Sequence, residues 1–185
     1  LSAAHVAEAL HDGFQQSGLT ASYHLLPIAD GGNGTLDAFL ANGGQRITVE
    51  NVYDPLMRPI QADYGLIDNG KTAVIEMATA SGLELLAPTE LNPLKATTYG
   101  TGQLMQDALE RGAKRFIIGL GGSATVDGGM GCLQAIGLNL SDADGNPITH
   151  GGGGLADIAI IDTSGIDERW RSVDILIASD VENPT

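Results

Sequence analysis

Cysteine and basic residues are scarce in this sequence of 185 residues. The single cysteine, Cys132, cannot form an internal disulfide, and no apolar run approaches the roughly 20 residues that a membrane-spanning helix needs. Lysine and arginine number 9 against 23 aspartates and glutamates, which gives a net charge of −14. Such a surface repels nucleic-acid phosphates and anionic lipid headgroups. We therefore expect a cytoplasmic protein with neither a nucleic-acid nor a membrane partner.

Two common functional signatures are also absent from the sequence. No Gly-x-x-x-x-Gly-Lys-Ser/Thr string occurs, which excludes a P-loop, and the four histidines have no metal-ligand spacing. The chain opens on Leu1 without an initiator methionine or a signal-like stretch, so we expect residues to precede it in the complete protein. A 43% apolar content is enough for the core of one domain, or of one domain and part of a second.

Apolar periodicity and turn residues predict alternating helices and strands. Helices are predicted over residues 3–14, 35–43, 101–111 and 130–136. Strands are predicted over residues 22–26, 45–52, 62–67, 72–77, 115–119, 138–140 and 173–178. The sequence Asp68-Asn69-Gly70 is typical of a hairpin turn between the third and fourth of these strands. The fold class is α/β, in more than one lobe.

Glycine is abundant, with 26 residues, and it is concentrated in loops that each leave a strand and enter a helix. Glycine lets the backbone approach an anion closely, and the unpaired N–H groups at the start of the following helix favour negative charge. Two such loops predict phosphate binding, although tight turns alone would also require glycine. The first loop contains Asp30, Gly31, Gly32, Gly34 and Thr35, and the second contains Gly119, Gly121, Gly122, Ser123, Thr125, Asp127, Gly128 and Gly129.

The second loop also fits a rival template for dinucleotide binding. Gly119-x-Gly121-x-x-Ala124 matches the fingerprint of NAD-binding dehydrogenases, and Asp142 lies about 20 residues further on, where that fold places its ribose-binding acid. Against this template, Asp127 would put a carboxylate near the pyrophosphate, and the helix begins late. A third hypothesis is a non-catalytic fragment that binds anions or serves only a structural role.

Three segments resemble signatures of the bacterial glycerate kinases of the first type, in the order of that family. They are residues 29–35, 119–131 and 178–184, and shorter matches occur at 76–78, 81–83, 92–94 and 98–102. The resemblance covers essentially the whole chain, which a chance match of one loop would not do.

The resemblance implies transfer of the γ-phosphoryl group of ATP, with Mg²⁺, to a hydroxyl of D-glycerate, giving 2-phosphoglycerate. Such transfer requires positioned phosphates, a metal and a residue that orients the attacking hydroxyl. The candidate catalytic residues are Asp30, Asp127 and Asp180, of which Asp127 and Asp180 are also the candidate metal ligands. Each aspartate could instead cap a turn or a helix. The candidate nucleotide-binding residues are Gly31, Gly32, Gly34, Thr35, Gly119, Gly121, Gly122, Ser123, Thr125, Gly128 and Asn183.

The family also implies an architecture: a two-lobed kinase with a Rossmann-like lobe and a second, mixed α/β lobe, present here only in part. Residues 1–50 would belong to a discontinuous α/β lobe, and residues 51–185 to the second lobe. The family's Asp-Ser-Phe-Lys-like, Gly-Pro-Gln-Lys-Gly and Thr-Gly-Glu-Gly-Arg segments are missing, so we expect residues outside this sequence to complete the active site. A homo-oligomeric state is left open.

Individual residues depart from the family pattern inside the matched segments. Asn33 stands where the family usually has glutamate, Val126 where it usually has asparagine, and Gln103 where it often has glutamate. Val126 matters most if the usual asparagine touches ligand. Cys132 falls in the helix predicted after the second loop, where a small buried thiol is expected rather than a nucleophile.

Overall fold

A five-stranded mixed sheet forms the centre of the computed structural model, which describes residues 3–179. The strands of the chain are β1 (Gln45–Tyr53), β2 (Pro59–Ile67), β3 (Thr72–Glu76), β4 (Arg115–Gly119), β5 (Asn139–Ser141), β6 (Ile160–Asp162) and β7 (Asp174–Ala178). The large sheet has the order β1-β2-β3-β4-β7, and β5 pairs with β6 in a separate two-stranded sheet. The mixed α/β class expected from the sequence is confirmed.

The large sheet changes from antiparallel to parallel pairing at β3. β1 pairs antiparallel with β2, and β2 with β3, whereas β3, β4 and β7 run parallel. The predicted hairpin is confirmed, since Leu66 faces Ala73 across the turn. Asn69 and Gly70 occupy the left-handed backbone region there, with φ of 57° and 81°, which asparagine and glycine tolerate better than other residues.

Within residues 3–179, five α-helices accompany the strands, and four of them correspond to the predicted helical segments. They are α1 (Ala3–Gln16), α2 (Thr35–Leu40), α3 (Ala78–Ser81), α4 (Tyr99–Glu110) and α5 (Met130–Ala135). Short 3₁₀ segments lie at Asp68–Gly70, Leu83–Leu85, Pro88–Glu90, Gly152–Asp157 and Glu168–Ser172. Among residues 3–179, every helix is too short or too polar to cross a membrane.

The sheet is buried on both faces at β3, where every residue is buried. On one face, Ile75 packs in a cluster with Leu104 of α4 and Phe116 of β4. On the other face, Val74 packs with Leu36 of α2. Because successive strand residues point to opposite faces, a strand covered on both sides needs apolar residues in succession, and Ala73, Val74 and Ile75 supply them in β3.

One predicted strand does not form, and one strand of the structure was not predicted. Residues 22–26 have no regular structure and pair with no strand in the described part of the chain, because an extended segment becomes a strand only where a neighbour completes its hydrogen bonds. β6 was missed, although it pairs with β5 through Leu140 and Ile161. The expected division at residues 50 and 51 falls within β1, and the assignment of two lobes stays a prediction.

Candidate functional site

The three parallel strands end in register at one edge of the sheet, and both glycine-rich loops meet there. Glu76 of β3, Gly119 of β4 and Ala178 of β7 are neighbours across this edge. The N–H of Gly121 donates to the carbonyl of Gly31 over 3.0 Å, which joins the second loop to the first. The carboxyl end of parallel strands is where open α/β sheets place their ligands.

Three of the predicted nucleotide-binding glycines are required by the packing of one backbone on another. A β-carbon at Gly119 would stand 2.4 Å from the carbonyl oxygen of Gly31, and one at Gly121 would stand 2.5 Å from Cα of Gly32. A β-carbon at Gly31 would stand 2.5 Å from the carbonyl oxygen of Ala178. These glycines therefore allow the two loops to contact each other and β7, a role that the sequence did not indicate.

The first loop is held by its own side chains and by one acid from β3. Asp30 is exposed and accepts a hydrogen bond from the Gly32 N–H at 3.0 Å, while the Thr35 hydroxyl accepts from the Gly31 N–H at 3.1 Å. Gly34 precedes α2 in a left-handed conformation, with φ of 97°, and offers no side-chain cap. Sequence reasoning missed the acid that fills this role, because Glu76 lies 42 residues further along the chain.

Glu76 provides the cap that the first loop lacks. Its Oε1 atom accepts hydrogen bonds from the N–H of Gly34 at 2.9 Å and from the N–H of Leu36 at 2.6 Å. The side chain is almost fully buried, with Glu76 only 8% exposed. The positive end of α2 therefore faces a carboxylate of the protein itself.

The second loop is organised around Asp127, which is 1% exposed. Its carboxylate accepts hydrogen bonds from the N–H groups of Thr98, Gly129 and Gly131 at 2.8, 3.1 and 3.1 Å. It also accepts from the hydroxyls of Thr97 and Thr98. Asp127 thus joins the start of α5 to the segment that precedes α4.

The expectation of unpaired N–H groups at the helix starts is therefore wrong for most of these amides, because buried carboxylates and loop oxygens accept their hydrogen bonds. Within residues 3–179, the backbone N–H groups of Asn33 and Gly122 have no hydrogen-bond partner. Asn33 and Gly122 are close, since a β-carbon at Gly122 would stand 3.5 Å from Asn33 Oδ1. The hydroxyls of Ser123 and Thr125 lie 2.9 Å apart beside them in the second loop. These unpaired amides thus lie where the loops meet.

A metal site is not formed by the described part of the chain alone. Residues 3–179 contain no group of three histidine, cysteine, aspartate or glutamate side chains arranged to hold a metal ion. Both oxygens of Asp127 are engaged by protein donors, whereas Asp30 is exposed. Asp180 and Asn183 lie outside the described residues, although β7 ends two residues before Asp180. The roles predicted for these residues in catalysis and in metal or nucleotide binding stay predictions.

The Cys132 thiol has the environment of a structural side chain. Burial, together with the nearby negative charge of Asp127, raises its pKa to about 12. Its Sγ atom lies 3.4 Å from Sδ of Met105, between α5 and α4. A thiol that stays protonated at neutral pH is a poor nucleophile, in agreement with the expectation from the sequence.

Sequence and structural relatives agree on one family. The model of the glycerate kinase family matches residues 1–185. The chain is 49% identical over 184 residues to the glycerate kinase of Bacillus subtilis (strain 168), and 48% identical over 186 residues to the glycerate 2-kinase of Escherichia coli (strain K12). Each alignment covers 100% of this chain and 48% of the relative.

The fold gives the same result. It superposes on the crystal structure of a glycerate kinase 2 from Salmonella typhimurium LT2 with a TM-score of 0.87 and 49% sequence identity, covering 100% of this chain and 50% of the other. The chain therefore spans about half the length of the curated relatives that it matches. No dehydrogenase appears among these relatives. The chain belongs to the glycerate kinase family.

Proposed function

We propose that the full-length protein transfers the γ-phosphoryl group of ATP to D-glycerate and forms 2-phosphoglycerate. One observation carries the proposal: in a chain of this family, two glycine-rich loops meet at the carboxyl end of parallel strands. The E. coli relative is named a glycerate 2-kinase, which supports the 2-position as the site of phosphorylation.

The chemistry requires the transferred phosphoryl group to be held in line with the attacking hydroxyl and its charge to be neutralised. Amides at Asn33 and Gly122, with the hydroxyls of Ser123 and Thr125, are suited to hold ATP phosphates. The phosphates would then lie over the junction of the loops.

Three acids have different proposed roles. Asp30 is exposed and has one carboxylate oxygen engaged by Gly32, so the other can orient a hydroxyl or a metal-bound water. Asp180 follows the carboxyl end of β7 and is proposed as a metal ligand. Asp127 is buried among protein donors, which supports a contribution made through the shape of the second loop. Mg²⁺, when bound, would neutralise phosphate charge, and we assign no step to it from residues 3–179.

The remaining half of the protein is proposed to complete a two-lobed kinase. β7 is an edge strand whose apolar residues Ile175, Leu176 and Ile177 are 47%, 48% and 50% exposed. Successive residues of a strand point to opposite faces, so both faces of β7 are uncovered. An exposed apolar edge favours further pairing, which supports a larger lobe around this strand.

The test is a coupled assay of ADP release by the full-length protein, with and without D-glycerate, and assignment of the product by ³¹P NMR. We expect glycerate-dependent turnover and 2-phosphoglycerate. Asp180→Ala should abolish turnover without changing the circular dichroism spectrum, whereas Asp144→Ala, at an exposed turn, is the control. Absence of glycerate-dependent ADP release, or NAD binding detected by fluorescence, would overturn the proposed function.

A further inference from the structure

Glu76 lies beside the start of the second glycine-rich loop, and its side chain contacts the first. It is the last residue of β3 and lies in register with Gly119, the last residue of β4. The next backbone N–H, that of Met77, donates to the Gly119 carbonyl at 3.0 Å. The Glu76 side chain reaches the other way, to Gly34 and Leu36 of the first loop and α2.

Glu76 is the buried side chain that fixes the start of α2 to the sheet, whereas Asp37 of α2 pairs with Arg46 of β1 at the exposed surface. The hydrogen bonds of Asp30 and Thr35 stay within residues 30–35. Leu36 buries its side chain against Val74 and Ile117, but an apolar contact does not fix the direction of the helix N-terminus. The two hydrogen bonds that Glu76 Oε1 accepts from backbone N–H groups are directional and fix the direction of the helix N-terminus.

Two amides of the first loop and α2 donate to Glu76, whereas the arginine that lines the same cavity is engaged elsewhere. Arg46, which lines the same cavity of about 470 Å³ as Glu76, pairs with Asp37 and Asp63. A carboxylate at the positive end of α2 also excludes a substrate phosphate from that position. It leaves the amides where the loops meet as the place for an anion.

We propose that Glu76 is a positioning residue that sets the first loop against the second and so determines the affinity for the phosphates of ATP. The proposal rests on the proposed function for the identity of the ligand. It assigns no contact between Glu76 and substrate. The affinity for ATP is therefore expected to depend on the position of the Glu76 acceptor oxygen and not on its negative charge.

Three substitutions in the full-length protein separate position from charge. Glu76→Gln keeps an acceptor oxygen at the same reach without the charge. Glu76→Asp keeps the charge but withdraws the oxygen by one methylene, and Glu76→Ala removes both. Glu84→Ala, at an exposed acid on the 3₁₀ segment Leu83–Leu85, is the matched control.

We expect Glu76→Ala and Glu76→Asp to raise KM for ATP about tenfold, because two directional hydrogen bonds are lost. KM for glycerate should change less than about twofold, and Glu76→Gln should stay within about threefold of the parent for both substrates. A merely structural role would not move one KM selectively or be rescued by glutamine. Unchanged KM for ATP in folded Glu76→Asp, or damage by Glu76→Gln equal to that of Glu76→Asp, would overturn the proposal.

A second measurement does not depend on catalysis. Amide hydrogen exchange of Gly34 and Leu36, read by mass spectrometry or NMR, should be at least about tenfold faster in Glu76→Asp than in the parent, and near the parent rate in Glu76→Gln. If the parent shows no glycerate-dependent turnover but this exchange pattern holds, the proposed function fails and the positioning of the loop stands. Equal exchange rates in parent and Glu76→Asp would refute the positioning role whatever the activity.

Discussion

The two glycine-rich loops solve the same local problem in different ways. Each leads into a helix of six residues through a left-handed glycine, Gly34 with φ of 97° or Gly129 with φ of 79°, and neither glycine can cap the helix. The second loop carries its own acid, Asp127, two residues before Gly129. The first takes Glu76 from a strand 42 residues away. A buried carboxylate at a helix start can thus be a local or a tertiary feature.

The two carboxylates also differ in how completely they are enclosed. Asp127 is 1% exposed and both of its oxygens accept hydrogen bonds, whereas Glu76 is 8% exposed and accepts through Oε1 alone. Breaking a buried, fully satisfied network leaves several donors without partners. We therefore expect the second loop to be the more firmly held of the two.

The largest effect is expected for Asp127→Ala, which leaves the buried N–H groups of Thr98 and Gly131 and the half-buried N–H of Gly129 without an acceptor. The free energy of unfolding should fall by roughly 3–5 kcal/mol, against about 1–3 kcal/mol for Glu76→Ala, because fewer donors are stranded there. Chemical denaturation of the full-length protein, followed by circular dichroism, measures both. Equal losses would show that the two carboxylates anchor their loops equally.

A smaller effect is expected at the contact between the loops. Gly119→Ala places a β-carbon 2.4 Å from the Gly31 carbonyl oxygen, so either loop must move, at a cost of about 2–3 kcal/mol. The comparison is Gly128→Ala, where φ is +61° but nothing lies within 4 Å, so only backbone strain of roughly 1–2 kcal/mol is expected. Thermal unfolding of the two variants measures both losses of stability. If Gly119→Ala destabilises the protein no more than Gly128→Ala does, the loops do not pack as described.

The smallest perturbation uses Cys132 as a reporter of the second loop. With a thiol pKa of about 12, little thiolate is present at pH 8, so alkylation should be at least about 100-fold slower than in the unfolded protein. Mass spectrometry of the peptide that contains Cys132 gives the rate. Asp127→Ala should accelerate it, because a negative charge and the loop anchor are both lost, whereas Glu76→Ala should not. Acceleration by both variants would show that the loops open together.

Much of the fold could be predicted from residues close together in the chain. The hairpin at Asp68-Asn69-Gly70 follows from turn chemistry, and α4 follows from its apolar period. Residues 22–26 carry a comparable local pattern but form no strand, and β6 was missed, because strand formation depends on a partner that local patterns do not name. Both failures concern strands, whose existence depends on a neighbouring strand as well as on their own sequence.

The same division holds for the candidate site. The sequence by itself determined the two glycine-rich loops, the family resemblance and the nearness of Asp127 to a helix start, since each of these depends on residues within one short segment. Tertiary structure alone decided that Gly119 and Gly121 serve the contact between loops, and that Glu76 caps α2. Side chains and backbones that meet across 42 residues or more are brought together by the order of strands in the sheet, which no local periodicity encodes.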